Sequence, residues 1–168
     1  MTEITMFAPS EDLIFNKDIN ALKERTRRGI MCILGRKLED PKNEYWVNYC
    51  VCIKNNYFIQ IMTTEKEDGL LIELSSSHYS SGRLNQAKLD IISSYGYEFG
   101  NKMNPNFHKT VTLTPDLLFE LGDELTDIMY RVFDLEQHQP LKIEYDQDVY
   151  RAPSPFASRL FGWLRGIK

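Results

Sequence analysis

The sequence predicts an α+β fold in which an antiparallel meander sheet packs with helices. Three observations carry that expectation. First, three short runs rich in β-branched and aromatic residues lie between Tyr45 and Ser75, cut by Asn55-Asn56 and by the polar tip Glu65-Lys-Glu-Asp-Gly69. Asparagine tolerates positive φ and Asp-Gly favours a hairpin, so the runs read as a three-stranded antiparallel meander. Second, Leu118, Leu121, Leu125, Ile128 and Val132 form one helical stripe behind a helix-start signal, with Leu117, Met129 and Phe133 widening it. Third, Ile19, Leu22, Thr26, Ile30, Ile33 and Leu34 recur at helical spacing ahead of the meander. The predicted order is helix, three strands, helix, strand, helix, strand.

Taken in chain order, residues 1–15 have no clear period and read as an irregular arm. Asn16 or Asp18 can cap the first helix. Gly29 weakens it by about 1 kcal/mol relative to alanine, which leaves a strand open as the alternative for residues 29–34. Leu38-Glu-Asp-Pro41 ends the element. In the meander, Val47, Tyr49, Val51 and Ile53 share one face of the first strand by alternation. Ile59 and Ile61 do so in the second, and Leu70, Ile72 and Leu74 in the third. These are the expected core side. The other face carries Trp46, Asn48, Cys50, Cys52, Phe58, Gln60, Met62, Leu71 and Glu73. It is too apolar to be simply wet, so another element, a second subunit or a ligand must cover it. Trp46, Phe58, Met62 and Leu71 are therefore the candidate protein-binding residues.

Ser75 to Gly82 reads as a polar linker. Leu84, Ala87, Leu89, Ile91 and Ile92 predict a second helix that stops near Tyr95-Gly96, with glycine as its C-terminal cap. Residues 97–113 read as a loop with the turn Asn104-Pro105-Asn106, followed by an alternating strand from His108 to Leu113. Thr114-Pro115-Asp116 supplies a capping hydroxyl, a first-turn proline and an acid at the positive end of the helix dipole. That third helix should run to about Phe133. Leu141, Ile143 and Tyr145 alternate with Lys142 and Glu144, as in an edge strand.

The chain has 168 residues, 42% hydrophobic and 26% charged, which fits one globular domain with a proper core. No apolar run approaches the roughly 18–20 residues of a membrane span, and no signal-peptide core opens the chain. Three cysteines is an odd number. Cys50 and Cys52, two apart in a strand, should share a face without pairing, so a reducing cytoplasm is the expected location. All 24 acids fall within residues 1–150 together with 16 of the 20 Lys and Arg, giving a body of −8. Residues 151–168 hold Arg151, Arg159, Arg165 and Lys168 and no acid. An acidic body argues against nucleic acid as the main partner. The division expected is one domain, 1–150, and a basic tail, 151–168.

Chemistry-bearing patterns are few. No phosphate loop, dinucleotide fingerprint or zinc spacing is present. Cys50-Val-Cys52 has no further ligand at metal spacing and reads as buried and apolar. His78, His108 and His138 read as loop or loop-edge residues, and Ser75-Ser76-Ser77 beside His78 lacks a nucleophile-elbow sequence. Glu120, Asp123, Glu124 and Asp127 could do acid–base work or bind a cation, but their spacing reads as the outer, solvated face of the third helix. No catalytic residue, cofactor or metal is expected, and a binding module is preferred to an enzyme with a dispersed site.

Three stretches resemble the type III secretion chaperone fold, a superfamily that includes the Tir-chaperone type, YbjN-like proteins and small cyanobacterial members. Tyr57-Phe-Ile-Gln-Ile-Met, followed by Gly69-Leu-Leu-Ile-Glu-Leu-Ser, looks like that family's strand with a glutamine in an apolar run. Leu89-Asp-Ile-Ile-Ser-Ser-Tyr-Gly-Tyr looks like its second helix and cap. Asn104-Pro-Asn-Phe and the helix closing Val132-Phe-Asp-Leu are similar to its final helix. The resemblance covers about residues 16–146. It implies a non-enzymatic, homodimeric chaperone or adaptor that holds extended or partly unfolded protein segments.

The basic tail departs from that family pattern. Ser154 and Pro155 can start a helix from Phe156 to Ile167. At about 100° per residue, Phe156, Leu160, Trp163, Leu164 and Ile167 then fall within roughly one third of its circumference. The tail can dock on its own domain or its dimer mate, or it can anchor the protein to an anionic membrane surface or a partner's groove. The alternative function is therefore a regulatory or membrane-associated accessory protein targeted by this segment.

Overall fold

The computed structural model describes residues 18–52, 55–76, 84–136 and 141–146. Its elements are α1 (Ile19–Glu39), β1 (Trp46–Cys52), β2 (Tyr57–Thr63), β3 (Gly69–Leu74), α2 (Gln86–Ser94), β4 (Glu98–Phe99), β5 (Phe107–Thr112), α3 (Pro115–Arg131) and β6 (Lys142–Tyr145). The strands form one six-stranded sheet in the order β4-β5-β3-β2-β1-β6. Every neighbouring pair is antiparallel. This is the α+β order the sequence predicts, with one addition: the two-residue β4 falls in a stretch that reads as a loop. Among the described residues it pairs only with β5, at Glu98↔His108 and Phe99↔Phe107, so a local pattern carries no trace of it.

Residues 29–34 are helical, which decides against the strand alternative. The Asp18 side chain caps α1 by accepting from the Asn20 amide at 2.9 Å. Leu22, Ile30, Ile33 and Leu34 bury one stripe, and burial outweighs the glycine penalty. Gly29 has a packing reason. A Cβ built there would overlap the hydroxyl oxygen of Tyr49, which is fully buried and donates to the Thr26 carbonyl at 3.4 Å. Gly29→Ala is thus expected to destabilise by about 1–3 kcal/mol, because overpacking exceeds the helix-propensity gain. Tyr49→Phe in the same chain should recover part of that loss. A urea titration showing the single variant more stable than the parent would refute the close approach.

α3 opens as predicted, with Thr114 Oγ1 accepting from the Leu117 amide at 3.2 Å. Its stripe from Leu118 to Val132 is buried throughout. α1 lies against β1 and β2, α3 packs along α1, and α2 touches α3. The core joins these stripes to Val47, Tyr49, Val51, Ile59, Ile61, Leu70, Ile72 and Leu74. Tyr57 stacks on Phe133 with ring centroids 4.9 Å apart. All three helices therefore serve one face of the sheet.

Turns follow the expected residues. Asn56 takes φ 55° between β1 and β2, and Gly96 takes φ 81° after α2. Several expectations need correction. A register shift lies between Cys50 and Cys52, an irregularity that simple strand alternation does not anticipate. Ser75 and Ser76 are buried instead of opening a polar linker. The Ser75 hydroxyl accepts from the Phe58 amide at 2.9 Å, which continues the β2–β3 pairing through a side chain. His108 stands inside β5. The N-terminal arm, Ile53, His78, His138 and the whole tail lie outside the described residues.

Candidate functional site

The sheet register assembles the second face row by row. One row is Trp46, Met62, Leu71 and Thr110, on β1, β2, β3 and β5. Beside it runs a polar row across all six strands: Glu144, Asn48, Gln60, Glu73, His108 and Glu98. A third row holds Lys142, Cys50 and Phe58. Trp46, Phe58, Met62 and Leu71 are all partly buried and lie on this one face. The structure thus gathers the four candidate protein-binding residues, though Phe58 is separated from the others by the polar row. Among the described residues no helix lies over this face. The loop ahead of β5 reaches it through Asn104, whose amide donates to Glu73 at 2.6 Å.

Glu144 and Lys142 belong to this face as well. Alternation in β6 separates them from Leu141, Ile143 and Tyr145, but only the β1–β6 pairing sets Glu144 beside Asn48. Burial pushes the Glu144 carboxyl up, but hydrogen bonds from Lys142 and Asn48 outweigh it and hold the group below its usual range. Asn48 Nδ2 donates to Glu144 at 3.2 Å. Asn48 Oδ1 is buried and has no hydrogen-bond partner among the described residues. These residues line a pocket of about 280 Å³ together with Cys50, Asn56, Tyr57 and Phe58. The Cys50 thiol is pushed up to about 11 by burial and by neighbouring Glu144. It is protonated at neutral pH and is not an activated nucleophile.

Within the acidic cluster on α3, Glu120 and Asp123 are exposed as the solvated-face expectation has it, Asp127 is half-buried, and Glu124 overturns that expectation. Glu124 is buried. It pairs with Lys109 Nζ at 2.6 Å and accepts from the Tyr97 hydroxyl at 2.7 Å. Lys109 also donates to the Tyr95 carbonyl at 3.1 Å and sits 4.6 Å from the Tyr97 ring centre. Asp127 accepts from the Tyr95 hydroxyl at 2.7 Å and from Arg131 at 3.0 Å. Asp123 is exposed but paired with Arg27 and Lys23, at 3.2 and 3.1 Å. Helical spacing placed these acids together but could not show β5 and the 95–97 turn packing against them. Carboxylates this well matched act as structural ties between α3, α2 and β5.

A second cleft, of about 740 Å³, opens between α2 and the β4–β5 pair, with Leu89, Ile92, Tyr97, Phe99 and Phe107 among its lining. Ser76, Gln86, Asp90 and Ser93 complete its lining. Among the described residues no group of His, Cys, Asp and Glu is arranged to hold a metal ion, and no helix is long and apolar enough to cross a membrane.

These features define a class: a two-layer α+β protein with its helices on one side of an antiparallel sheet and a mixed apolar and acidic surface on the other. No protein-family model, curated protein or solved structure matches the chain.

Proposed function

We propose that the chain is a non-enzymatic protein-binding module, a chaperone or adaptor of the type III secretion chaperone kind, with the outer sheet face as its docking surface. One observation carries this reading: the Trp46, Met62 and Leu71 row on a sheet face that no described helix covers. Apolar rows left partly open on sheets mark association sites. The Asn48 acceptor and the carboxylates beside it suit a partner that brings hydrogen-bond donors. The resemblance extends the proposal to a homodimer seated on this face, or to an extended client laid across it.

The test is the paired variant Met62→Glu with Leu71→Glu, in the full chain. The parent is expected to suppress aggregation of an unfolded model client, and the variant to lose that suppression at an unchanged melting temperature. Light scattering should give twice the 19.7 kDa chain mass for a parent that pairs through this face, and the single mass for the variant. A monomeric parent would mean that no second copy occupies the face in the parent chain. Equal client suppression and equal mass for both proteins would rule the face out as a docking surface.

A further inference from the structure

The outer face has a candidate occupant within the chain itself. β6 is an edge strand on β1, with Tyr145 opposite Val47. The next amide, that of Asp146, donates to the Trp46 carbonyl at 3.1 Å. Strand β6 therefore ends at the corner where the apolar row begins.

Reach and length agree with the row. From Trp46 on β1 to Thr110 on β5 is three strand spacings, roughly 15 Å. Residues 147–155 are nine in number and span up to about 30 Å when extended. Residues 156–167 would measure about 18 Å as a helix. The segment can therefore reach and follow the whole row without strain.

Chemistry agrees too. Glu144, Glu73 and Glu98 line the face, against Lys142 and His108, and Lys142 is tied to Glu144 by an ion pair. The buried Asn48 Oδ1 adds an acceptor with no partner among the described residues. Residues 151–168 bring three arginines, a lysine and no acid, interleaved with Phe156, Leu160, Trp163, Leu164 and Ile167. Arginine donors suit such acceptors, and the apolar stripe suits the Trp46, Met62 and Leu71 row.

We infer that residues 151–168 dock on the outer sheet face of their own chain, along the Trp46–Met62–Leu71 row, and that a protein partner binds by displacing them. The inference rests on the docking role proposed for that face and names what holds it in the free protein. A tether this short gives the tail a high effective concentration at the face. The tail then sets a threshold that a client or a second copy must exceed.

The experiment uses the full chain with a photoreactive benzophenone residue in place of Leu160, irradiated in dilute solution. Crosslinks are expected to the peptides that carry Trp46, Met62 or Leu71, at monomer mass. Trp163→Asp should abolish the docked state, raise client suppression several-fold and shift light scattering towards the dimer. Crosslinks to the helix layer alone, or at dimer mass alone, would overturn the assignment. So would sedimentation with phosphatidylserine vesicles that Trp163→Asp abolishes while the parent shows no crosslink to the face, since the tail is then a membrane anchor. The two readings fail differently. If Met62→Glu with Leu71→Glu abolishes client suppression but Trp163→Asp changes neither suppression nor mass, the docking face stands and the tail is not its occupant. If the face variant changes nothing in either background, the docking role itself is lost.

Discussion

Replacing Glu124 by leucine is expected to lower the folding free energy by about 3–5 kcal/mol, the loss typical when one member of a buried ion pair is removed. Glu124 and Lys109 retain only 10% and 13% of their side-chain exposure. Without the carboxylate, Lys109 keeps the Tyr95 carbonyl and the face of the Tyr97 ring, and the Tyr97 hydroxyl loses its acceptor. The double change Glu124→Leu with Lys109→Met should cost less than the single one, because no charge is then left buried. Urea unfolding of the two singles and the double gives the coupling directly. Single losses below about 1 kcal/mol, or a double loss equal to their sum, would mean that the pair behaves as an exposed one.

The same network predicts a limit at high pH. Burial, with Glu124 next, raises the Tyr97 hydroxyl well above its ordinary value of 10.0. Tyr95 is pushed up to about 12 by burial and then by its bond to Asp127. Above pH 10 the unfolded chain therefore releases protons that the folded chain retains. The stability is fully present below pH 10 and is lost as pH rises through the folded values. Tyr97→Phe should make that decline shallower.

Leu125→Ala should cost about 2–5 kcal/mol. Leu125 is fully buried at the centre of the α3 stripe, between Leu121 and Ile128, which are equally buried. Removing its isobutyl group leaves a cavity that rigid helical neighbours can close only in part. At about 2–4 °C per kcal/mol for a chain of this size, the melting temperature should fall by at least several degrees. Phe119 on the same helix provides the contrast. It is larger but 49% exposed, with the Arg27 guanidinium 4.8 Å from its ring centre. Phe119→Ala should cost about 1 kcal/mol. A melt of Leu125→Ala within a degree or so of the parent would show that α3 does not pack by this stripe.

The sequence by itself determined what depends on neighbours along the chain. The period of Leu118–Val132 selected a helix and its buried side. Thr114-Pro115 marked where that helix starts, and Gly96 where α2 ends. Alternation in β1 to β3 separated core residues from Trp46, Met62 and Leu71. Each of these is a local signal, because helix and strand geometry repeat within a few residues.

Only the tertiary structure decided the rest. Gly29 reads locally as a weak point in a helix, but Tyr49, twenty positions on, makes it a required close approach. Glu124 reads as solvated until Lys109 and Tyr97 arrive from β5 and the turn before β4. β4 exists only as a partner of β5. Glu144 joins Asn48 because β6, the last strand, pairs with β1, the first. Helical and strand periodicity fix which way a side chain points, whereas the identity of the group it meets depends on pairings far apart in sequence. The polar row across six strands, and with it the acidic character of the candidate face, comes from such pairings.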